Sequence, residues 1–447
     1  MLLRRARVPL ACLPPGFTAA APDLEPWAEV DIHLDAERIL AVTPSAPPST
    51  STLNLNFAAG SAGGEDLAGA LVFPGLLDCH THLDKTHTWH RAPNPTGEFW
   101  DAITALGADS ARWTEEDIYR RASFALECAY AHGTVALRTH VDTWGTRESP
   151  AFAALARLRA EWAGRITLQT VTLCNLQAFA DGEAAGILEF TARNGATALG
   201  GFPQPNPDLP RQLDALLAAA RELGVGVDLH VDESGLVHAE CLRATAEAVL
   251  RNQFPHPVAC GHNCSLAVQD PARAASTLDL VKEAGIGLIS LPLCNLYLQG
   301  RDRAPAAPGA PSGARGAPRT PRWRGLMLAH EALDRGIPVA CASDNVRDAF
   351  FAWGDYDALE VFSESVRIGH LDTRLAAAPS VVTTGPAAIM GLPDHGRVAP
   401  GARSALVVTA ATTFNELLAR PAAPRRLVRQ GRLVTPQAPS YAALLPG

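Results

Sequence analysis

Eight short apolar runs, separated by helix-like stretches, restrict the fold of this chain more than any other feature. The first occupies residues 70–73 and 76–77 and leads into His80; the others are 134–141, 166–173, 198–201, 225–231, 258–262, 287–290 and 339–344. Runs that stay apolar rather than alternating read as strands covered on both faces, as in a parallel sheet. The stretches between them, such as 214–223 and 277–284, repeat apolar residues every three or four positions, the period of an amphipathic helix. Eight such units are what a (β/α)₈ TIM barrel requires. A doubly wound sheet would want a glycine-rich turn after its first strand, and none follows here.

The two ends have a different texture. Residues 1–72 read as all-β: 30–34 alternate, 38–42 resume after a polar turn at 35–37, and 46–64 form a loop rich in Pro, Ser, Thr and Gly. Residues 404–408 and 426–434 look alike at the other end. Neither end can hold a good core alone, so segments 1–72 and 396–447 are predicted to build one small β-sandwich beside a barrel unit at 73–395. Within the barrel unit, 304–321 is low-complexity Pro/Gly sequence and reads as a mobile surface insertion near the barrel mouth. Its composition favours a neutral insertion over a lid.

Composition narrows the function. The chain has 447 residues and a net charge of −8, which argues against a nucleic-acid partner, since phosphate binding needs clustered Lys and Arg. Nine cysteines without a framework spacing fit a reduced, cytoplasmic protein. The opening residues briefly resemble a signal peptide, but the apolar run is short and broken by proline, so it reads as a first strand. No run reaches the roughly 18 apolar residues that a membrane helix needs.

Residues able to bind metal recur where the apolar runs end: His80 and His82, His140, His230, His262 and Asp344. All strand ends of one polarity open onto one face of a barrel. Residues two apart on a strand share a side, so His80 and His82 converge. The pattern predicts one divalent ion held by His80, His82, His230 and Asp344, with a position left for water. Such an ion brings the pKa of its water towards neutrality and supplies a hydroxide nucleophile, and Asp344 is placed to accept the proton. Glu233 could pass a proton to a substrate nitrogen, or simply sit in the solvated first turn of the next helix. His262 could stabilise an oxyanion or join the metal. His140 could support the ligands, contact substrate, or be a satisfied core histidine. The tripeptide 238–240 imitates the His-x-Glu of zinc-dependent nucleic-acid base deaminases, but no Pro-Cys-x-x-Cys follows, so it reads as helix surface.

His80-Thr81-His82-Leu83-Asp84-Lys85, Arg138-Thr139-His140-Val141-Asp142, His230-Val231-Asp232-Glu233, Gly261-His262, Asn295-Leu296-Tyr297-Leu298-Gln299-Gly300-Arg301 and Ser343-Asp344-Asn345 occur in the order found in bacterial cytosine deaminases. By these motifs the chain resembles the amidohydrolase superfamily, in its cytosine-deaminase-like branch. The resemblance implies a distorted barrel with a β-sandwich from both termini and a zinc or ferrous ion on His80, His82, His230 and Asp344. It implies catalytic roles for Glu233, His262 and Asp344, a small heterocyclic substrate that loses ammonia, and a homo-oligomer. Departures fall where the substrate would bind. Asn175 and Gln177 stand near the place of the family's cytosine-binding glutamine. Asn345 and Phe350 replace an aspartate and a tryptophan. Lys85 is similar to relatives that release an alkylamine from hydroxylated triazines, so Lys85, His140, Asn175, Gln177, Asn345 and Phe350 are the candidate substrate contacts. Release of an alkylamine or opening of a cyclic amide is the rival chemistry, and a non-catalytic metal-binding protein the distant one.

Overall fold

A computed structural model describes residues 1–19, 21, 23–45, 64–143, 149–306 and 315–444. The loop expected at 46–64 and the centre of the 304–321 insertion lie almost wholly or partly outside these residues. Four strands open the chain: β1 (Leu2–Pro9), β2 (Trp27–Leu34), β3 (Ile39–Pro44) and β4 (Glu65–Asp66). They form one sheet in the order β3-β2-β1-β4. Next come β5 (Val72–Pro74) and eight strands of a second sheet: β6 (Leu76–Thr81), β7 (Thr134–Asp142), β8 (Thr167–Leu173), β9 (Ala198–Gly201), β10 (Gly226–Val231), β11 (Val258–His262), β12 (Gly287–Ser290) and β13 (Val339–Cys341). Each neighbours the next in chain order, all parallel. A bridge from Thr81 to Asp344, with Asp344 N donating to His80 O at 2.9 Å, brings the last strand round to the first. This is the expected eight-stranded barrel. The strands β14 (Leu406–Val408), β15 (Arg426–Arg429) and β16 (Arg432–Val434) complete a third sheet, β16-β15-β14-β5.

The apolar run at 70–77 is not one strand, as expected, but two. Pro74 and Gly75 break it, so Val72–Pro74 pairs with β14 while Leu76–Thr81 enters the barrel. Proline cannot donate to a ladder, and a Cβ on Gly75 would lie 2.5 Å from the Val135 side chain, so the chain changes sheet there. The two small sheets share one core: Leu3, Val8, Val30, Ile32 and Leu34 from the N-terminal segment pack with Val72, Val398, Leu406, Val408 and Val428. A β-sandwich built from both termini is the result. Its strand β2 buries alternate residues, as a sheet with one dry face should, whereas β6 is buried throughout.

Arg425, just ahead of β15, ties this sheet to the barrel. Its guanidinium donates to both oxygens of Asp357 at 2.7 and 2.6 Å, and Asp357 in turn caps the helix Ala358–Gly369 by accepting from Leu359 N. Both side chains are buried. Removing one partner of a buried pair strands the other charge, so Arg425→Ala is expected to cost about 3–5 kcal/mol of stability. Denaturant unfolding checks this, and a loss below 1 kcal/mol would show the pair to be dispensable.

The flanks of the 304–321 insertion are paired: Ala304 N donates to Ala317 O at 2.8 Å, and Arg303 and Arg315 form ion pairs with Glu98 and Asp101 at the start of the helix Phe99–Asp109. Among the described residues, no helix is long and apolar enough to cross a membrane. All nine cysteines are buried and unpaired.

Candidate metal centre and active site

Strand alternation decides which side chains enter the barrel. His80 and Asp78 on β6, His140 and Arg138 on β7, and His230 and Asp228 on β10 fall on the inner side, one layer above the other. In the upper layer three imidazoles meet. His80 Nε2 lies 3.1 Å from His230 Nε2, which lies 3.2 Å from His82 Nε2. Asp344 Oδ1 stands 3.2 Å from His82 Nε2 and 3.6 Å from His80 Nε2. Ligands bound at 2.0–2.2 Å around one tetrahedral or five-coordinate cation sit about 3–3.5 Å apart, and these contacts of 3.1–3.6 Å lie close to that spacing. Burial, reinforced by the neighbouring imidazoles, drives His80 and His230 far below the usual histidine range; at His82 burial and the Lys85 charge do the same. The rings are therefore neutral and keep lone pairs for a metal. Both Asp344 oxygens are buried without a hydrogen-bond partner. This donor set fits a divalent cation.

The backbone is bent to present these groups. Asp232, His262, Asn263 and Asp344 all have left-handed φ values between 50° and 70°, unfavourable for residues with a Cβ. Such conformations cost on the order of 1–3 kcal/mol each and persist where the surroundings hold them. Gly261 makes room: a Cβ there would lie 2.9 Å from His80 Cε1.

Glu233 is not in a helix. The next one, Cys241–Arg251, begins eight residues later, so the solvated-first-turn reading fails. Instead Glu233 Oε1 lies 3.3 Å from His262 Nδ1 and accepts from Asn295 Nδ2 at 3.2 Å. Burial and the charge of Asp344 raise its pKa well above the usual carboxylate range. Burial also raises Asp344, with Asp348 adding to the effect. The His262 ring is pushed down to about 3 by burial and His140, and its Nε2 has no protein partner.

The other candidates divide. His140 stacks on His80 with centroids 4.1 Å apart, and its Nε2 is 3.3 Å from Asp228 Oδ1. A nitrogen of each of His80, His82, His140 and His230 lies within one 4.8 Å group, as do ligand atoms of His80, His230, His262 and Asp344. Lys85 is buried, with Nζ 2.8 Å from Asp142 and 3.2 Å from His82 Nδ1. Burial works against its charge, but Asp142 and Asp84 outweigh it and keep it an ammonium. Asn345 donates to Asp348 at 2.8 Å, and Phe350 packs on Phe99. Asn175 and Gln177 are committed elsewhere: Asn175 is exposed and accepts from Gln177 N, while the Gln177 amide donates to Asp181 and accepts from Gln212. The tripeptide 238–240 precedes a helix instead of lying on its surface, and Glu240 pairs with Arg273.

Four residues carry no role in the sequence reading. Asp228 accepts from Arg138 Nη1 at 2.7 Å and faces His140, and these two neighbours outweigh burial to hold it below the usual carboxylate range. Asp78 accepts from Ser343 N and so fixes the strand end before Asp344. Each stands two residues before a metal-centre histidine, a spacing that was available as a signal. Asp348 sits on an irregular segment and Asn295 on a helix of seven residues, too short for a period to mark it.

The Amidohydrolase family model matches residues 171–435, more than half of the sequence. The chain belongs to the amidohydrolase family. It is 44% identical over 380 residues to a pterin deaminase from Rhizobium rhizogenes, covering 85% of this chain and 84% of that protein. It is 24% identical over 356 residues to an N-isopropylammelide isopropyl amidohydrolase from Pseudomonas sp., covering 77% and 80% respectively. In structure it is similar to 5-methylcytosine deaminase from Klebsiella pneumoniae, with a TM-score of 0.79, 24% identity, and 98% and 99% of the two chains covered. As an amidohydrolase the chain is a hydrolase of C–N bonds, with a histidine–aspartate cluster able to take a metal.

Proposed function

We propose that this amidohydrolase replaces the exocyclic amine of a planar N-heterocycle with oxygen, releasing ammonia, and that a pterin is the first ring to test. The observation that carries the reading is the meeting of His80, His82, His230 and Asp344, linked by contacts of 3.1–3.6 Å, with Glu233 beside His262. Three neutral imidazoles and a carboxylate suit Zn²⁺ or Fe²⁺, and when bound such an ion supplies a water of lowered pKa for attack on the ring carbon. Asp344 takes the proton of the attacking water. Glu233 gives its own proton to the ring nitrogen as the carbon becomes tetrahedral, and a second transfer lets the amine leave as ammonia. His262 Nε2, buried and unpartnered, faces the charge that gathers on oxygen.

Pterin enters because the relative with 44% identity is a pterin deaminase. Its amine-bearing carbon lies between two ring nitrogens, as in isocytosine, and shares with cytosine an exocyclic amine next to a ring nitrogen. Lys85 and the N-isopropylammelide relative favour a second reading, release of an alkylamine from a hydroxylated triazine. Ammonia release from pterin, isocytosine, cytosine, creatinine and ammelide, beside isopropylamine release from N-isopropylammelide, separates the two. Turnover of pterin with ammonia as product is expected. Silence on every amine-bearing ring, with alkylamine release intact, would replace the first reading by the second.

A further inference from the structure

We propose that Asn295 is a positioning residue that holds the single proton of His262 on Nε2, making this histidine a donor towards the substrate and keeping it off the metal. The assignment of a catalytic role to His262 rests on the deaminase reading; the placement of the proton does not. Asn295 lies on the short helix Pro292–Leu298, directly after β12, and is 1% exposed. Its Nδ2 faces two groups at once, His262 Nδ1 at 3.0 Å and Glu233 Oε1 at 3.2 Å. An amide nitrogen carries two hydrogens and accepts none. With one hydrogen given to Glu233, the other is free for His262 Nδ1, which accepts it through a lone pair in the arrangement we infer. A neutral imidazole has one proton, so it resides on Nε2.

That choice has consequences at the centre. His262 reaches the same 4.8 Å group as His80, His230 and Asp344, so a free lone pair on Nε2 would make it a competing ligand. A proton there forbids coordination and aims a hydrogen at the space beside the metal ligands, where Nε2 is otherwise unpartnered. The residue that caps this helix grips Glu233 a second time, because Gln299 Nε2 donates to Glu233 O at 3.2 Å. Asn295 thus sets the proton donor and the oxyanion donor with one group. The reversed amide would place its oxygen against both partners and move the histidine proton to Nδ1, an arrangement that experiment can distinguish.

The test is a nitrogen NMR spectrum of protein labelled with ¹⁵N in its histidine rings, recorded metal-free and loaded with Zn²⁺, with His262 assigned through His262→Asn. A protonated Nε2 and an unprotonated Nδ1 are expected in both forms. Asn295→Asp supplies an acceptor, so the proton should shift to Nδ1, and the visible spectrum of the Co²⁺-loaded variant should show an added nitrogen ligand. In Asn295→Leu, kcat on the ring identified above should fall roughly 10²-fold, the usual loss on removing an oxyanion donor, with KM little changed. A wild-type His262 bearing its proton on Nδ1, or an Asn295→Asp variant with unaltered tautomer and kcat, overturns the proposal. The wild-type spectrum decides the point even if the leucine variant does not fold. It also does so if no amine-bearing ring proves to be a substrate.

Discussion

Glu233→Gln should lower turnover by about three orders of magnitude while leaving the metal content of the protein unchanged. The size follows from what the substitution removes. Proton transfer by a placed side chain is worth roughly 10²–10⁴-fold, and this glutamate is asked to supply the leaving amine as well as the ring nitrogen. The geometry survives, because a glutamine oxygen can still accept from Asn295 Nδ2, as Glu233 Oε1 does at 3.2 Å. Binding is therefore largely kept, and the loss should fall on kcat. Glu233 lies outside the group of His80, His230, His262 and Asp344 whose ligand atoms converge, so one equivalent of metal should remain by elemental analysis. A variant that kept more than a tenth of wild-type activity on the identified ring would remove Glu233 from the chemistry. If activity and metal were lost together, Glu233 would have to be read as a support of the ligands.

Why Glu233 was ambiguous in the sequence, while His80, His82, His230 and Asp344 were not, has a physical origin. Residues at strand ends obey a two-residue period, and a barrel sends every such end to one face. The run of apolar residues before each histidine therefore carried its position. Glu233 follows β10 in an irregular stretch, where no period applies, and only the contacts to His262 and Asn295 reveal its surroundings. Asn295 is harder still, because its neighbours come from segments 33 and 62 residues away in the chain. Tertiary contact also decided the fate of Gln177, whose amide is taken up by Asp181 and Gln212. The break at Pro74 and Gly75 shows the opposite case. Both residues were plain to see, but an unbroken apolar run on either side hid that the halves serve different sheets.

Metal removal should abolish turnover outright and lower the melting temperature while the barrel stays folded. The reason is electrostatic. Without a cation, His230 Nε2 crowds His80 Nε2 at 3.1 Å and His82 Nε2 at 3.2 Å, and both Asp344 oxygens are buried with little hydrogen bonding to offset their charge. An unpaired buried carboxylate is costly in a dry site, and the protein can relieve it only by taking up protons or opening the strand end. A cation bound to the folded state alone adds RT ln(1 + [M]/Kd) to stability, about 4 kcal/mol at a thousandfold excess over Kd. The fold itself does not depend on this, since the large apolar cluster of the barrel, with Leu199, Leu229, Leu288 and Phe362, is built without the histidines. Dialysis against a strong chelator should thus give an inactive protein with unchanged far-ultraviolet circular dichroism and a lower melting point. One equivalent of Zn²⁺, or of Fe²⁺ without oxygen, should restore both properties together, whereas Mg²⁺ should restore neither because three imidazoles are poor ligands for so hard an ion. Full activity in protein holding less than about a tenth of an equivalent of any metal would refute the centre drawn from His80, His82, His230 and Asp344.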